Sequence, residues 1–199
     1  MIRRLAAVAA VGALLGGCAT APPGPPPPPG VAAIARGPVY LTLPRPPAFP
    51  TEQEFAQSIV ADYGPRKIAF DALVSLGPDR VTVIVTAPAG PRLAQIDWTA
   101  EGVRTAMDGP APPGFRAENV LADLVVARWP KPLLEQALGG RLEVWDYQDG
   151  RRKLVRDKAE TIIEVSPPTT DASGAERRTL TNYHFDYSLT IITRGGGGS

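Results

Sequence analysis

The residue types most familiar from catalysis lie near the carboxyl end of the chain. His184, Asp186 and Ser188 alternate with single residues, so a β-strand would place all three on one face. A serine nucleophile, its histidine base and the orienting carboxylate must converge, and neighbours along one strand do not give that geometry. The chain also has no Gly-x-Ser-x-Gly turn to present a nucleophile. We therefore expect no catalytic triad here.

The remaining candidates for chemistry are few. Asp97, Glu101 and Asp146 are scattered, whereas paired acid–base catalysis needs two carboxyl groups that converge. One His and one Cys in 199 residues leave too few ligands for a typical metal site, and no phosphate-binding loop or dinucleotide-binding motif is present. The 21 Lys and Arg balance 20 Asp and Glu, which argues against a nucleic-acid partner. The composition therefore predicts a protein that is not an enzyme and has no metal or cofactor.

Cys18 stands where covalent lipid attachment would need it. Arg3 and Arg4 precede an apolar run, residues 5–15, that is too short to span a bilayer core of ~30 Å. The run ends in Leu15-Gly16-Gly17-Cys18, which resembles a lipobox, the processing signal of bacterial lipoproteins. The alternative is an ordinary signal peptide that contains a cysteine by chance.

The lipobox resemblance implies a location. Residues 1–17 would be removed as a signal peptide and Cys18 would be acylated. Two or more acyl chains hold a protein stably at a membrane without a spanning segment. Ala19 occupies a position where Asp would resemble an inner-membrane retention signal, so we expect the outer membrane.

The segment after the cysteine is rich in proline. Because proline fixes φ and lacks an N–H donor, residues 18–50 are predicted to be a semi-rigid spacer between the lipid anchor and a folded domain. The alternative is a ligand for a proline-binding domain. The folded domain is predicted over residues 51–194, and residues 195–199, Gly-Gly-Gly-Gly-Ser, are typical of an engineered flexible linker.

Within the folded domain the hydrophobic period changes between that of helices and that of strands. Thr51-Glu52-Gln53-Glu54 matches a capping box and predicts a short helix that ends near Gly64. Two further helices are predicted at residues 117–129 and 132–138. Alternating patterns predict strands at residues 67–76, 81–85, 94–98, 103–107, 142–147, 151–156, 161–165, 179–183 and 187–193. This order indicates an α+β fold, with a single antiparallel sheet and helices covering one face.

The apolar face of such a sheet is the best candidate for a binding site. Helices that fit it closely would make a solid core, whereas a loose fit would leave an apolar pocket. The candidate lining residues, each of which is alternatively an ordinary core residue, are Phe70, Val74, Val83, Val85, Ile96, Trp98, Leu124, Val125, Trp129, Val144 and Ile163.

A predicted hairpin carries a local excess of positive charge. Arg151, Arg152, Lys153, Arg156 and Lys158 lie within eight positions of one another. They could dock on anionic lipid head groups, at about 1 kcal/mol per charge. The alternative, which we favour, is a solvated strand face or a protected sheet edge.

The element order also resembles a known family. Together with residues 52–64, 120–124, 128–130 and 187–191, it is similar to the DUF3261 family of bacterial lipoproteins. That resemblance implies a fold related to the lipoprotein carriers LolA and LolB, which is a strongly curved, unclosed β-barrel whose concave face is covered by helices around an apolar cavity.

The same resemblance implies a function. Members of the family are often encoded beside genes for aryl-polyene lipid synthesis. We therefore expect an outer-membrane lipoprotein, facing the periplasm, that binds or accepts an acyl or aryl-polyene lipid without catalysis, and a periplasmic carrier as a possible class of partner. The alternatives are a structural or interaction lipoprotein with a solid core and, more remotely, an enzyme that modifies lipids.

Overall fold

The computed structural model describes residues 26–88, 90–109 and 115–195. Two helices occur there, α1 (Ala117–Arg128) and α2 (Lys131–Leu138). The strands are β1 (Val31–Ala35), β2 (Val39–Thr42), β3 (Gln53–Tyr63), β4 (Arg66–Leu76), β5 (Val81–Thr86), β6 (Arg92–Thr99), β7 (Gly102–Met107), β8 (Glu143–Asp146), β9 (Arg152–Arg156), β10 (Glu160–Val165), β11 (Thr169–Thr170), β12 (Glu176–Asn182) and β13 (Tyr187–Arg194).

One large antiparallel sheet dominates the fold. Its strands follow the order β7-β6-β5-β4-β3-β13-β12-β10-β9-β8, and the short β11 pairs with β12. In the described part of the chain the edge strands β7 and β8 do not pair with each other, so the sheet is not closed. The predicted α+β class with an unclosed antiparallel sheet is therefore confirmed, and a separate two-stranded sheet lies beside it.

The helices show how the sheet curves. The helix α1 contacts β7 at one edge of the sheet, and α2, which follows it directly, contacts β8 at the other edge. Because two consecutive helices reach both edges, the sheet must bend around them. We call the side that faces the helices the inner face. Within the described residues, no helix is long and apolar enough to cross a membrane.

The predicted helix after Thr51 is wrong. Residues 53–63 form β3, in which alternate side chains such as Phe55, Ile59 and Ala61 are buried. This strand is hydrogen-bonded to β4 on one side and to β13 on the other. Glu54, predicted as the last residue of the capping box, instead accepts a hydrogen bond across the sheet from Ser75 Oγ at 3.5 Å. Pairing on both sides overrides a local capping signal.

The proline-rich segment also differs from the predicted spacer. Residues 31–42 form a hairpin, β1 and β2, that is separate from the large sheet and packs on α1 and α2. Ile34, Leu41 and Phe49 are each at most 3% exposed. The prolines lie at turns and strand ends, so the apolar residues between them are free to form strands. The folded part of the chain thus begins well before residue 51.

Several predictions concern residues outside the described part of the chain. These are the signal peptide at residues 1–17, the acylated Cys18 with the start of the spacer up to residue 25, and the end of the Gly-Ser tail at 196–199.

An aromatic cluster joins the hairpin segment to the sheet. Phe49 lies 6.4 Å from Trp98 and 5.6 Å from Trp129, and the two Trp rings are 5.9 Å apart, measured between ring centroids. Trp98 Nε1 donates a hydrogen bond to the carbonyl oxygen of Pro44 at 2.8 Å. Both Trp side chains are at most 1% exposed, so this part of the inner face is closely filled.

Candidate ligand pocket

A pocket lies between α1 and the inner face of β3, β4, β5 and β13. Its volume is about 150 Å³. The apolar residues that line it are Ile59, Phe70, Ala72, Val74, Val83, Val85, Phe115, Val120, Leu124, Ala127, Leu189 and Ile191. Many of these side chains are short, and valine and alanine do not reach far enough from the sheet to fill the space below the helix.

The size of the pocket limits what it can hold. An apolar protein cavity of about 150 Å³ accommodates benzene, whereas pockets for drug-sized ligands are about 300–1,000 Å³. The pocket therefore suits one aromatic ring or a short stretch of alkyl chain, and a longer ligand must extend out of it.

The candidate lining residues divide between the pocket and the core. The pocket brings together Phe70, Val74, Val83, Val85 and Leu124. The others do not line it and are at most 1% exposed: Ile96, Trp98, Val125, Trp129, Val144 and Ile163. Both sets follow the same alternating pattern, and whether any of them contacts a ligand stays a prediction.

A buried carboxyl group in the pocket wall was not found from the sequence. Asp123, on α1, accepts a hydrogen bond at 2.7 Å from the hydroxyl of Tyr187 on β13. The ring of Tyr187 in turn lies 5.6 Å from that of Tyr63 on β3. The carboxyl group is surrounded by protein atoms yet partly accessible, since Asp123 lines the pocket.

Burial decides the protonation of this group. Loss of water raises the pKa of Asp123 from 3.8 to about 7, although the Tyr187 hydrogen bond opposes the change. Burial, and then the nearby Asp123 carboxylate, raise the pKa of Tyr187 and of Tyr63 above 10.0. A carboxyl group with a pKa near neutrality in a pocket is a physical mark of a functional site, although structural groups show it too.

A sequence signal for Asp123 did exist. It is the one acidic residue between Glu118 and Glu135, within an otherwise apolar helical run. Asn119, Asp123 and Ala127 recur at intervals of four, and all three line the pocket. This polar position on an apolar helix is where the sequence departs from a simple core pattern.

The arginine in the pocket wall is already bound. Arg116 Nη2 lies 3.5 Å from Glu118 Oε2. The same guanidinium group donates hydrogen bonds to the carbonyl oxygens of Pro27 at 2.9 Å and Val31 at 3.4 Å. These contacts hold the start of α1 against the segment before and within β1.

A second, more polar recess of about 280 Å³ adjoins the pocket and shares Gln57, Ala127 and Ile191 with it. Arg128 lines this recess, with its guanidinium 4.0 Å from the centre of the Phe55 ring and a hydrogen bond to Thr193 Oγ1 at 3.2 Å. Burial lowers the pKa of Arg128, against the opposing effect of Glu176.

The residues first considered for catalysis have other contacts. His184 and Asp186 lie in the turn between β12 and β13, so the expectation that they share a strand face with Ser188 is wrong. His184 Nε2 lies 2.8 Å from Glu160 Oε1. Among the described residues there is no group of three or more His, Cys, Asp or Glu that could hold a metal ion.

Two of the scattered acids form ion pairs with arginines. Asp97 Oδ1 lies 2.6 Å from Arg80 Nη2, and Asp146 Oδ1 lies 2.6 Å from Arg152 Nε. Glu101 is on the surface and accepts a hydrogen bond from the hydroxyl of Thr99.

Most basic side chains of the hairpin contact acidic side chains or carbonyl groups of the protein itself. Besides the pair with Asp146, Arg152 donates to the carbonyl oxygens of Val126 and Trp129. Lys153 Nζ lies 3.3 Å from Glu164 Oε2, and Arg156 Nη1 lies 3.3 Å from Glu160 Oε2. This arrangement favours the strand-face interpretation over a lipid-docking patch.

Comparisons with known proteins concern the fold and the family. A crystal structure of a LolA superfamily protein from Nitrosomonas europaea is similar, with a TM-score of 0.44 and 10% sequence identity over 73% of this chain and 86% of that one. No curated protein sequence matches the chain. Residues 54–194 match the family described as "Protein of unknown function (DUF3261)", as the sequence predicted, and the chain therefore belongs to that family.

Proposed function

We propose that this protein binds an apolar ligand between α1 and the inner face of the sheet and holds it without catalysis. The observation that carries this proposal is the pocket of about 150 Å³ with mostly apolar walls, on a sheet face that buries Ile96 and Trp98 completely a short distance away. Packed protein interiors leave few voids larger than a water molecule, so unfilled space of this size calls for an explanation.

The pocket sets the expected affinity. Each buried methylene group contributes ~0.8 kcal/mol, so a stretch of about six would contribute about 5 kcal/mol. Association and ordering costs must be subtracted from that gain. We therefore expect simple alkyl ligands to bind no more tightly than a Kd of about 0.2 mM, and a natural ligand to gain more from contacts outside the pocket.

The lipid anchor is part of the proposal. An acylated Cys18 would hold the domain at the outer membrane, facing the periplasm, where an acyl or aryl-polyene lipid would be the ligand and a periplasmic carrier its source. The apolar run before Cys18 and the small residues beside it support this placement. Cys18→Ser is expected to release the protein from membranes on fractionation. A variant protein that still sediments with outer membranes would contradict the anchor and leave the pocket proposal standing.

Displacement of a fluorescent apolar probe tests the pocket itself. The protein from residue 19 onward, free of lipid, is expected to bind the probe saturably. Ala72→Phe fills the pocket and should weaken binding at least tenfold. Ala69→Phe, on the exposed face of the same strand, is the matched control and should bind as the wild type does.

Two results would overturn the pocket proposal. One is the absence of saturable probe binding to the wild type. The other is equal binding by the Ala72→Phe and Ala69→Phe variants, since the probe would then lie elsewhere. Either result favours the alternative of an interaction lipoprotein.

A further inference from the structure

We infer that the pocket takes an apolar ligand whose polar end is an amine, and that the carboxyl group of Asp123 accepts its hydrogen bond. This inference rests on the proposed function, because it specifies the chemical class of ligand for the same pocket. Three features of the pocket wall support it: an acceptor with unused capacity, the absence of an available cation beside it among the described residues, and its place among apolar side chains.

The acceptor capacity belongs to Asp123. An ionised carboxylate offers about four lone-pair positions on two oxygens. Among the residues that the structure describes, the Tyr187 hydroxyl is the only donor to it, and it uses Oδ1. Since Asp123 lines the pocket, a ligand inside can reach the remaining capacity.

The charges around the pocket favour a cation as the ligand group. The ionisable groups near Asp123 are Tyr187 from β13 and Tyr63 from β3, and Arg116, which directly precedes α1, lines the same pocket. The tyrosines are neutral, and Arg116 is bound to Glu118 and to two carbonyl oxygens. No described cation offsets the charge that Asp123 carries when ionised.

Ligand classes differ in how their polar groups interact with the Asp123 carboxylate. An ammonium group supplies both a hydrogen-bond donor and the missing positive charge, and charge-assisted hydrogen bonds are about twice as strong as neutral ones. A hydroxyl group supplies the donor alone. A carboxylate brings a second negative charge into a site of low dielectric, where the repulsion is large. Burial already holds the pKa of Asp123 high, and a bound ammonium would lower it again.

Three probes with the same alkyl chain test the assignment: octylamine, octanol and octanoate, each displacing the fluorescent probe at pH 8. The wild type is expected to bind octylamine about tenfold or more tightly than octanol, with octanoate weakest. Asp123→Asn keeps the shape of the side chain and removes its charge, so it should bring the amine and the alcohol to within about threefold of each other.

Two further variants serve as controls. Asp62→Asn removes an acid of the same size that pairs with Lys67 at the surface, and it should leave the amine preference unchanged. Tyr187→Phe keeps the carboxyl group but removes the hydrogen bond that opposes its raised pKa, so the amine preference should be smaller than in the wild type at pH 8 and grow at pH 9. This variant keeps the inference testable if Asp123→Asn folds poorly.

The outcomes separate this inference from the proposed function. Equal binding of octylamine and octanol to the wild type, loss of the preference in Asp62→Asn, or a preference in Tyr187→Phe that does not grow between pH 8 and pH 9 overturns the assignment to Asp123. An unchanged preference in Asp123→Asn overturns it as well. In each of these cases an apolar pocket that Ala72→Phe blocks would still stand. If none of the three compounds displaces the probe, and Ala72→Phe leaves probe binding unchanged, the proposed function fails with it.

Discussion

The aromatic cluster and the pocket share the inner face of one sheet but are built from side chains of different size. At the cluster, Phe49, Trp98 and Trp129 meet at centroid distances of 5.6–6.4 Å and exclude solvent. At the pocket, Ala72 and Val83 face α1, and a volume of about 150 Å³ stays unfilled. The comparison shows that the same alternating pattern builds a solid core or a pocket according to the size of the residues that meet.

The two regions also differ in how they treat polar groups. In the cluster, Trp98 Nε1 is satisfied by a backbone carbonyl group, and the indole nitrogen of Trp129 has no partner among the described residues. In the pocket, Asp123 is only partly satisfied by Tyr187 and remains accessible. The indole nitrogen of Trp129 is thus fully buried, whereas the carboxyl group of Asp123 borders the pocket and can be reached by a ligand inside it.

Truncation should affect the cluster most. Trp98→Ala is expected to lower the free energy of unfolding by about 3–5 kcal/mol, because it leaves a large cavity in a closely packed region. Val83→Ala, in the pocket wall, should cost about 1 kcal/mol, since the lost methyl groups border space that is already unfilled. Urea unfolding followed by Trp fluorescence for Val83→Ala, and by circular dichroism for both, measures the difference. Equal losses at the two positions would contradict the distinction between the regions.

The buried carboxyl group predicts a pH dependence specific to the pocket. The pKa of Asp123 is raised from 3.8 to about 7 in the folded state, so between these values the folded protein binds a proton that the unfolded chain does not. Stability should therefore fall as pH rises from about 4 to 7 and then level off. The shift corresponds to at most about 4 kcal/mol, and we expect about 2 kcal/mol because the group is partly accessible.

Asp123→Asn isolates that effect. The neighbouring Tyr187 and Tyr63 titrate above this range, because burial and the Asp123 charge raise the pKa of both hydroxyl groups above 10.0. The difference in unfolding free energy between the variant and the wild type should therefore grow with pH up to about 7 in favour of the variant. A difference that does not change between pH 4 and 7.5 would show that the carboxyl group is not desolvated in the folded state.

Added volume should also cost less stability in the pocket than in a filled part of the core. Ala32→Leu enlarges a fully buried side chain on β1, against α1, and is expected to cost about 1–3 kcal/mol. Ala72→Leu extends into the pocket and should change stability by less than about 1 kcal/mol in either direction. Thermal unfolding of both variants under one condition is the measurement. A large loss for Ala72→Leu would mean that the pocket space is not available to side chains.

Much of the architecture was predictable because its signals are local. The strands from β4 to β7 show strict alternation, and α1 is a long apolar run that ends at Pro130, so both were placed within a few residues. The error over residues 53–63 has a clear cause. A capping box is a local motif, and it carries no information about the β4 and β13 neighbours that pair with β3 on both sides.

The candidate site was only partly predictable. Periodicity identified Phe70, Val74, Val83, Val85 and Leu124 as inward-facing, and these do line the pocket. It could not separate them from Ile96 or Trp98, because facing inward says nothing about what lies opposite. Asp123 and Tyr187 are 64 positions apart in the chain, and no local pattern joins them.

The sequence by itself determined the secondary-structure class, the hairpins from β4 to β7, the family and many of the inward-facing side chains. Each of these depends on residues close together in the chain, or on alternation that a strand enforces whatever it packs against. Only the tertiary structure decided that the proline-rich segment folds back onto the helices, and that one region of the inner face is filled while another is not. Those outcomes depend on the summed volumes of side chains from distant segments, and these side chains meet only in the folded structure.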